Sequence, residues 1–254
     1  ILAIAEGTTN VTIDGFTFTN GSLEPVPDGM ALDQFSGAGI LTFSPITVSD
    51  CIFQNNLADY GAAISLLGAG MDLATISNVV VNNNSATQRG VIYSEAASNI
   101  SVSGSSFDGN FAGRGAVYFV ESENVSVTTS DFTNNTATRS PAIGYFTATP
   151  GYIGECTFTG NESSGSGGAI YLFSGDNETR PADPEDYVIE DSNFDANVAD
   201  GSGGAIFNLR ANSTIRNCDF NNSSTTTRGG AINYSSGDVK RANVVENCRF
   251  TSNR

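Results

Sequence analysis

The chain has 254 residues, with 11 basic against 27 acidic side chains, a formal net charge of −16, no His and no Trp. So acidic a chain lacks the clustered Lys and Arg that neutralise phosphates, which argues against nucleic-acid binding, and the missing His removes His-based acid–base pairs and His-ligated metal sites. No apolar run approaches the ~18 residues that span a bilayer, and the low hydrophobic fraction of 39% with 28 Gly and 26 Asn leaves disorder or a turn-rich solenoid, a choice that periodicity decides.

In chain order, the first unit holds Ile13 and Phe18, with Asn20 following two residues later. An insertion near 22–35, carrying Pro and acid, interrupts before the pattern settles into Phe53/Asn56, Val81/Asn84, Phe107/Asn110, Phe132/Asn135 and Phe158/Asn161. A second insertion near 174–186 precedes Phe194/Asn197, Phe220/Ser223 and Phe250/Asn253. The intervals through Val81, Phe107, Phe132 and Phe158 are 26, 25 and 26 residues. Ten to twelve residues after each Phe comes a second hallmark, from Ala63-Ile64 and Ala116-Val117 to the Gly-Gly-Ala-Ile runs starting at Gly167, Gly203 and Gly229. Five residues before each Phe stands Ile13, Val48, Ile76, Val102, Val127, Ile153, Ile189, Ile215 or Val245, all β-branched.

Identical residue types at identical phases require each strand to lie beside its own counterpart, which predicts an all-β, single-stranded parallel β-helix of about nine coils with three parallel sheets. The chain reads as a single domain over 1–254, open at both ends, with the two insertions looping out. The Asn three after Phe suits a left-handed turn, with side-chain amides bonding up the stack. Gly-Gly before Ala-Ile suits a positive φ or a place where a Cβ would strike the next coil.

The paired GGA[I/V/L] and FxxN motifs resemble those of chlamydial polymorphic outer membrane proteins and related surface proteins with a pectin-lyase-like β-helix. That resemblance implies a right-handed helix and an extracellular passenger-type rod used in adhesion or as a surface structure, although no transporter barrel accompanies it in this sequence.

Cys51, Cys156, Cys218 and Cys248 all stand two before the repeat Phe, in one inward column. Cys51 and Cys156 lie about four coils apart, beyond bonding range, whereas Cys218 and Cys248 on adjacent coils are a candidate disulfide or two buried thiols. Twelve Asn-x-Ser/Thr sequons are candidate N-glycosylation sites: Asn10, Asn20, Asn83, Asn99, Asn124, Asn134, Asn161, Asn177, Asn212, Asn221, Asn222 and Asn233. Part of their excess follows from polar-apolar-polar strands spelling N-V-T. Arg89, Arg114, Arg139 and Arg228 precede the Gly-Gly or equivalent turn and form a candidate interface stripe for carboxylates or an anionic glycan, set against solvated turn arginines. Acidic turns such as Asp59 and Asp200 would bind Ca²⁺ only weakly, and no cofactor beyond N-linked glycans is expected.

Polysaccharide-active β-helix enzymes need convergent carboxylates or a poised base. Glu155 and Glu190 lie at related phases, but no third partner emerges, so the chain reads as no enzyme. Ala3-Ile4 matches the phase of the second hallmark, and the sequence stops just after Phe250 and Asn253, so one end takes up where the other leaves off. A start at Ile1 instead of Met points to a processed product or a piece of a longer protein. The expectation is an extracellular, cell-surface or secreted building block that stacks head to tail or adjoins further solenoid segments. Its further partners would be glycans or a host surface, and the alternative is a pectin-lyase-like enzyme or glycan-binding module.

Overall fold

The structure, a computed structural model, describes residues 2–23, 37–68, 71–147, 150–175, 186–235 and 242–254. Most of both insertions, 24–36 and 176–185, and with them the Asn177 sequon, lie outside the described residues. Strands are two to six residues long, each bounded by turn residues, and successive strands turn the chain through one coil before it meets itself again.

Every pairing is parallel and joins each residue to its counterpart one coil on. The β-branched column runs Ile13↔Val48↔Ile76↔Val102↔Val127↔Ile153↔Ile189↔Ile215↔Val245 without a slip. A one-residue slip would turn that column outward, so burial itself enforces the register. From Ile13 to Ile215 the column is at most 5% exposed, and only Val245 on the last coil is open, at 42%.

Among the described residues there are four sheets, not the three expected. Sheet 1 runs from Leu2–Ile4 to Ile232–Ser235, sheet 2 from Val11–Asp14 to Asn243–Glu246 and sheet 3 from Thr17–Thr19 to Arg249–Thr251, each with nine strands. Sheet 4 runs from Leu57–Ala58 to Ser224–Thr225 with seven. About nine coils were expected; seven turns carry all four strands, flanked by a partial turn on either side. The strands of sheet 4 have only two residues, too few to display an alternation. Their signature is a small inward side chain two after the repeat Asn, as at Ala58, Ala86, Ala112, Ala137 and Ala199.

Two ladders line the interior of sheet 3 and its corner. Phe107, Phe132, Phe158, Phe194, Phe220 and Phe250 stack face to face with centroids 4.6–5.2 Å apart, each contact contributing about 0.5–1.5 kcal/mol beyond burial. Beside them Asn56, Asn84, Asn110, Asn135, Asn161 and Asn197 form an amide ladder, each Nδ2 donating to the next Oδ1 at 2.9–3.1 Å. Each Nδ2 from Asn84 to Asn197 also donates to the carbonyl of the column residue on the preceding coil, as Asn135 does to Phe107. The ladder was anticipated, but its left-handed geometry was not placed correctly. Positive φ falls one residue earlier, at Asn20, Asn55, Asn83, Gly109, Asn134, Gly160, Ala196, Asn222 and Ser252, and again three before Phe, from Gly15 and Asp50 to Asn247. The ladder Asn itself must point inward to reach two coils, and the residue before it takes the strained turn.

The Gly-Gly pairs divide the two expected tasks. Gly167, Gly203 and Gly229 have φ of 70–76°, while a Cβ on Gly168 or Gly204 would collide with the carbonyl of Gly204 or Gly230 on the next coil.

Candidate functional site

The inward columns hold structural chemistry. Cys51, Cys156 and Cys218 are buried and all four cysteines are free thiols, Cys248 being half-buried. Cys218 and Cys248, the candidate disulfide pair, stand as thiols on adjacent coils, close enough to interact with each other. Each Sγ donates to the carbonyl two residues earlier, at 3.1–3.3 Å, as the hydroxyls of Ser105, Ser130 and Ser192 do at the same phase at 2.7–2.8 Å. Burial pushes the thiols of Cys156 and Cys218 up to about 12, so neither is a poised nucleophile.

The described sequons separate by burial. Asn10, Asn20, Asn83, Asn99, Asn124, Asn134 and Asn222 are exposed and every one has a left-handed φ, between 51° and 57°, which is itself a reason for Asn there. Asn221 and Asn233 are half-buried. Asn161 and Asn212 are fully buried, Asn161 in the ladder and Asn212 donating to Asp186, so neither amide presents its nitrogen to solvent in the fold. Asn124 donates to Asn99 at 2.6 Å across adjacent coils.

The arginine stripe lies where sheet 4 turns into sheet 1. Arg89 and Arg114 directly precede the paired Gly90 and Gly115, and Arg114 and Arg139 each follow by two the paired Ala112 and Ala137. Each lies beside the outer face of sheet 1, where Tyr93, Tyr118, Tyr171 and Phe207 stand in one outward row. The Arg89 guanidinium sits over the Tyr118 ring at 6.0 Å from its centroid and Arg139 over Tyr171 at 5.8 Å, each leaning onto the next coil. Around them Leu41, Tyr60, Leu67, Tyr93, Tyr118 and Val120 make a second apolar cluster outside the main core. Burial raises the Tyr118 and Tyr171 hydroxyls, with the arginines pulling the other way. Arg228 stands in the same stripe on the last complete turn and is exposed. The aromatic bed was missed in the sequence. Its signal is Tyr or Phe one residue after the inward Ile or Val, as in Ile92-Tyr93, Val117-Tyr118, Ile170-Tyr171 and Ile206-Phe207.

A third constellation, on the outer face of sheet 2, supplies the partner that Glu190 lacked. Tyr152 donates to Glu190 Oε1 at 2.7 Å and Arg216 Nε to Oε2 at 2.5 Å, on three successive coils. Gly154 makes the room, because a Cβ there would strike the Tyr152 hydroxyl and ring. Donation by Tyr152 and then Arg216 lowers the Glu190 carboxyl, while the same bond pushes Tyr152 up to about 12. Both carboxylate oxygens are thus engaged; Glu155 occupies a left-handed turn and joins Glu190 only through its backbone N–H. Among the described residues no group of acids and cysteines is arranged to hold a metal ion, including Asp59 and Asp200. No described helix is long and apolar enough to cross a membrane.

Comparison with known proteins fits this geometry. The family model described as "Right handed beta helix region" matches residues 2–180, more than half of the chain. The chain belongs to the right-handed β-helix family. Beyond that region, residues 191–209 match the Chlamydia polymorphic membrane protein repeat, spanning Phe194, Asn197 and the Gly203-Gly204-Ala205-Ile206 run. No curated protein matches the chain, and no solved structure does. In this right-handed β-helix the coils are the scaffold, and the outward side chains at the corners of sheet 1 and on sheet 2 are the functional candidates.

Proposed function

We propose that this β-helix is an extracellular structural or adhesive building block of a cell surface, joined coil to coil with further solenoid segments or with other copies. The carrying observation is the unbroken register from coil to coil: the β-branched column, the Phe stack and the Asn ladder continue from one coil to the next through the same pairing, which is how like coils join. The similarity to a polymorphic membrane protein repeat supports a surface location, and the exposed left-handed sequons support N-glycosylation along the rod. Electron microscopy of the purified full chain tests the assembly: filaments or paired rods are expected, and isolated short rods at every concentration would defeat it. Intact mass should fall on glycosidase treatment of the natively secreted material.

A second reading, polysaccharide lyase or hydrolase, draws on the Tyr152–Glu190–Arg216 trio. Its carboxylate is saturated by two donors, which opposes a role as general base. Turnover of polygalacturonate, abolished by Glu190→Gln, would favour it.

A further inference from the structure

We infer that the break in the asparagine ladder at Ser223 binds one buried water molecule, seated where a carboxamide stands on the other coils. At the ladder phase, from Gly21 to Asn161 and again at Ser223, the backbone N–H donates to the Asn Oδ1 one coil on, at 2.8–3.2 Å. From Asn56 to Asn161 the side-chain Nδ2 shares that oxygen. Asn197 is the exception, because the next coil offers Ser223 in place of Asn. Its Nδ2 still gives one hydrogen to the Phe158 carbonyl at 2.8 Å, but its backbone N–H and its second Nδ2 hydrogen find no acceptor among the described residues. Both belong to the point that a ladder oxygen occupies on the preceding coils.

Bulk solvent does not supply the acceptor, since Asn197 and Ser223 are both fully buried, and a buried backbone N–H left without a partner costs as much as a lost hydrogen bond. Nor do the coils close over the shorter side chain. Phe194 and Phe220 stack at 4.7 Å on one side of it, and pairing resumes at Val198 and Ser224 on the other. Serine is shorter than asparagine by most of a carboxamide, room for about one water. A water there has a full set of partners. Its oxygen accepts from both Asn197 donors. Its hydrogens face the Phe194 carbonyl, at the phase where Phe132, Phe158 and Phe220 each take a ladder Nδ2, and the Ser223 Oγ, which donates at 3.4 Å to the Asn221 carbonyl and can still accept. The Phe194 oxygen would repel an anion, so the site selects a neutral molecule that both donates and accepts.

The test is a crystal structure of the full chain at a resolution that orders buried waters, a bromide-soaked crystal beside it, and thermal melts of two variants. One spherical density feature is expected within hydrogen-bonding distance of both Asn197 nitrogens, with no anomalous bromide signal there. Ser223→Asn should place its own Oδ1 at that point, displace the water and raise the melting temperature by about 2–4 °C. Ser223→Val should fill the gap with methyl groups, strand both donors and lower the melting temperature by at least as much. A gap without density, a bromide peak, or Ser223→Asn melting no higher than the wild type would overturn the proposal, the second outcome assigning the site to an anion.

Discussion

Sheet 3 and sheet 1 face each other across the same coils but obey different rules. Around sheet 3 the count never changes: a left-handed residue three before the column position, another two after it, in all nine coils. Around sheet 1 the count is loose. Two residues separate Glu95 from Ser98 at its exit, whereas thirteen separate Phe173 from Tyr187, and the long insertion near 22–35 lies at its entrance. The outward side chains differ in the same sense, small and polar over most of sheet 3, aromatic and arginine-flanked on sheet 1. The rod thus keeps its dimensions on one side, with stacked rings and amides, and leaves the other free to vary in loop and surface. Both the arginine stripe and the two insertions belong to the variable side.

Matched insertions should break this comparison most sharply. One glycine added between Thr133 and Asn134 takes Asn135 out of the ladder and should cost about 5 kcal/mol or more, comparable with a whole domain's stability. The same glycine added after Ala96 should cost under about 1 kcal/mol, since lengthening a loop costs little. Denaturant titration of the two variants decides it, and equal losses would erase the distinction. Next in size, Phe132→Ala should lose about 3–5 kcal/mol, because the ring is fully buried between Phe107 and Phe158. Asn135→Ala should lose about 2–3 kcal/mol by stranding the Phe107 carbonyl and the Asn110 N–H, and its melting curve would show it.

Smaller effects sharpen the picture of the outer faces. The lowered Glu190 carboxyl stabilises the fold fully above the ordinary carboxylate range and ceases to do so as pH falls through its depressed value. The raised Tyr152 hydroxyl contributes below 10 and stops contributing as pH rises through about 12. Glu190→Gln should therefore flatten both limbs of the stability–pH curve, and an unchanged curve would show the trio to be inert. Smallest of all, Cys156→Ser should shift stability by under about 1 kcal/mol, since serine makes the same bond at this phase on neighbouring coils. Thiol titration of the folded wild type should find Cys156 silent.

What the sequence revealed follows from the same asymmetry. The β-branched column, the Phe stack and the Asn ladder were readable because they repeat at one phase. Sheet 4 escaped because a two-residue strand has no alternation, and the left-handed turn was assigned to Asn135 and its counterparts when it belongs to Asn134 and its counterparts. The arginines of the candidate site were legible as a stripe, but their tyrosine bed was not: Tyr118 and Tyr171 meet arginines one coil away, at separations of 29 and 32 residues that no local pattern records. Tyr152, Glu190 and Arg216 were hidden for the same reason, with Gly154 as the one conspicuous departure in a column otherwise bearing side chains.

The amide ladder also gives the rod an arrow. Each Asn donates its Nδ2 proton forward and accepts through Oδ1 from behind, so the side-chain dipoles from Asn56 to Asn197 all point in one sense. At a junction with a reversed segment, donor would meet donor at the forward end, or acceptor would meet acceptor at the rear end. An inversion of direction along the axis therefore needs a junction that abandons the asparagines.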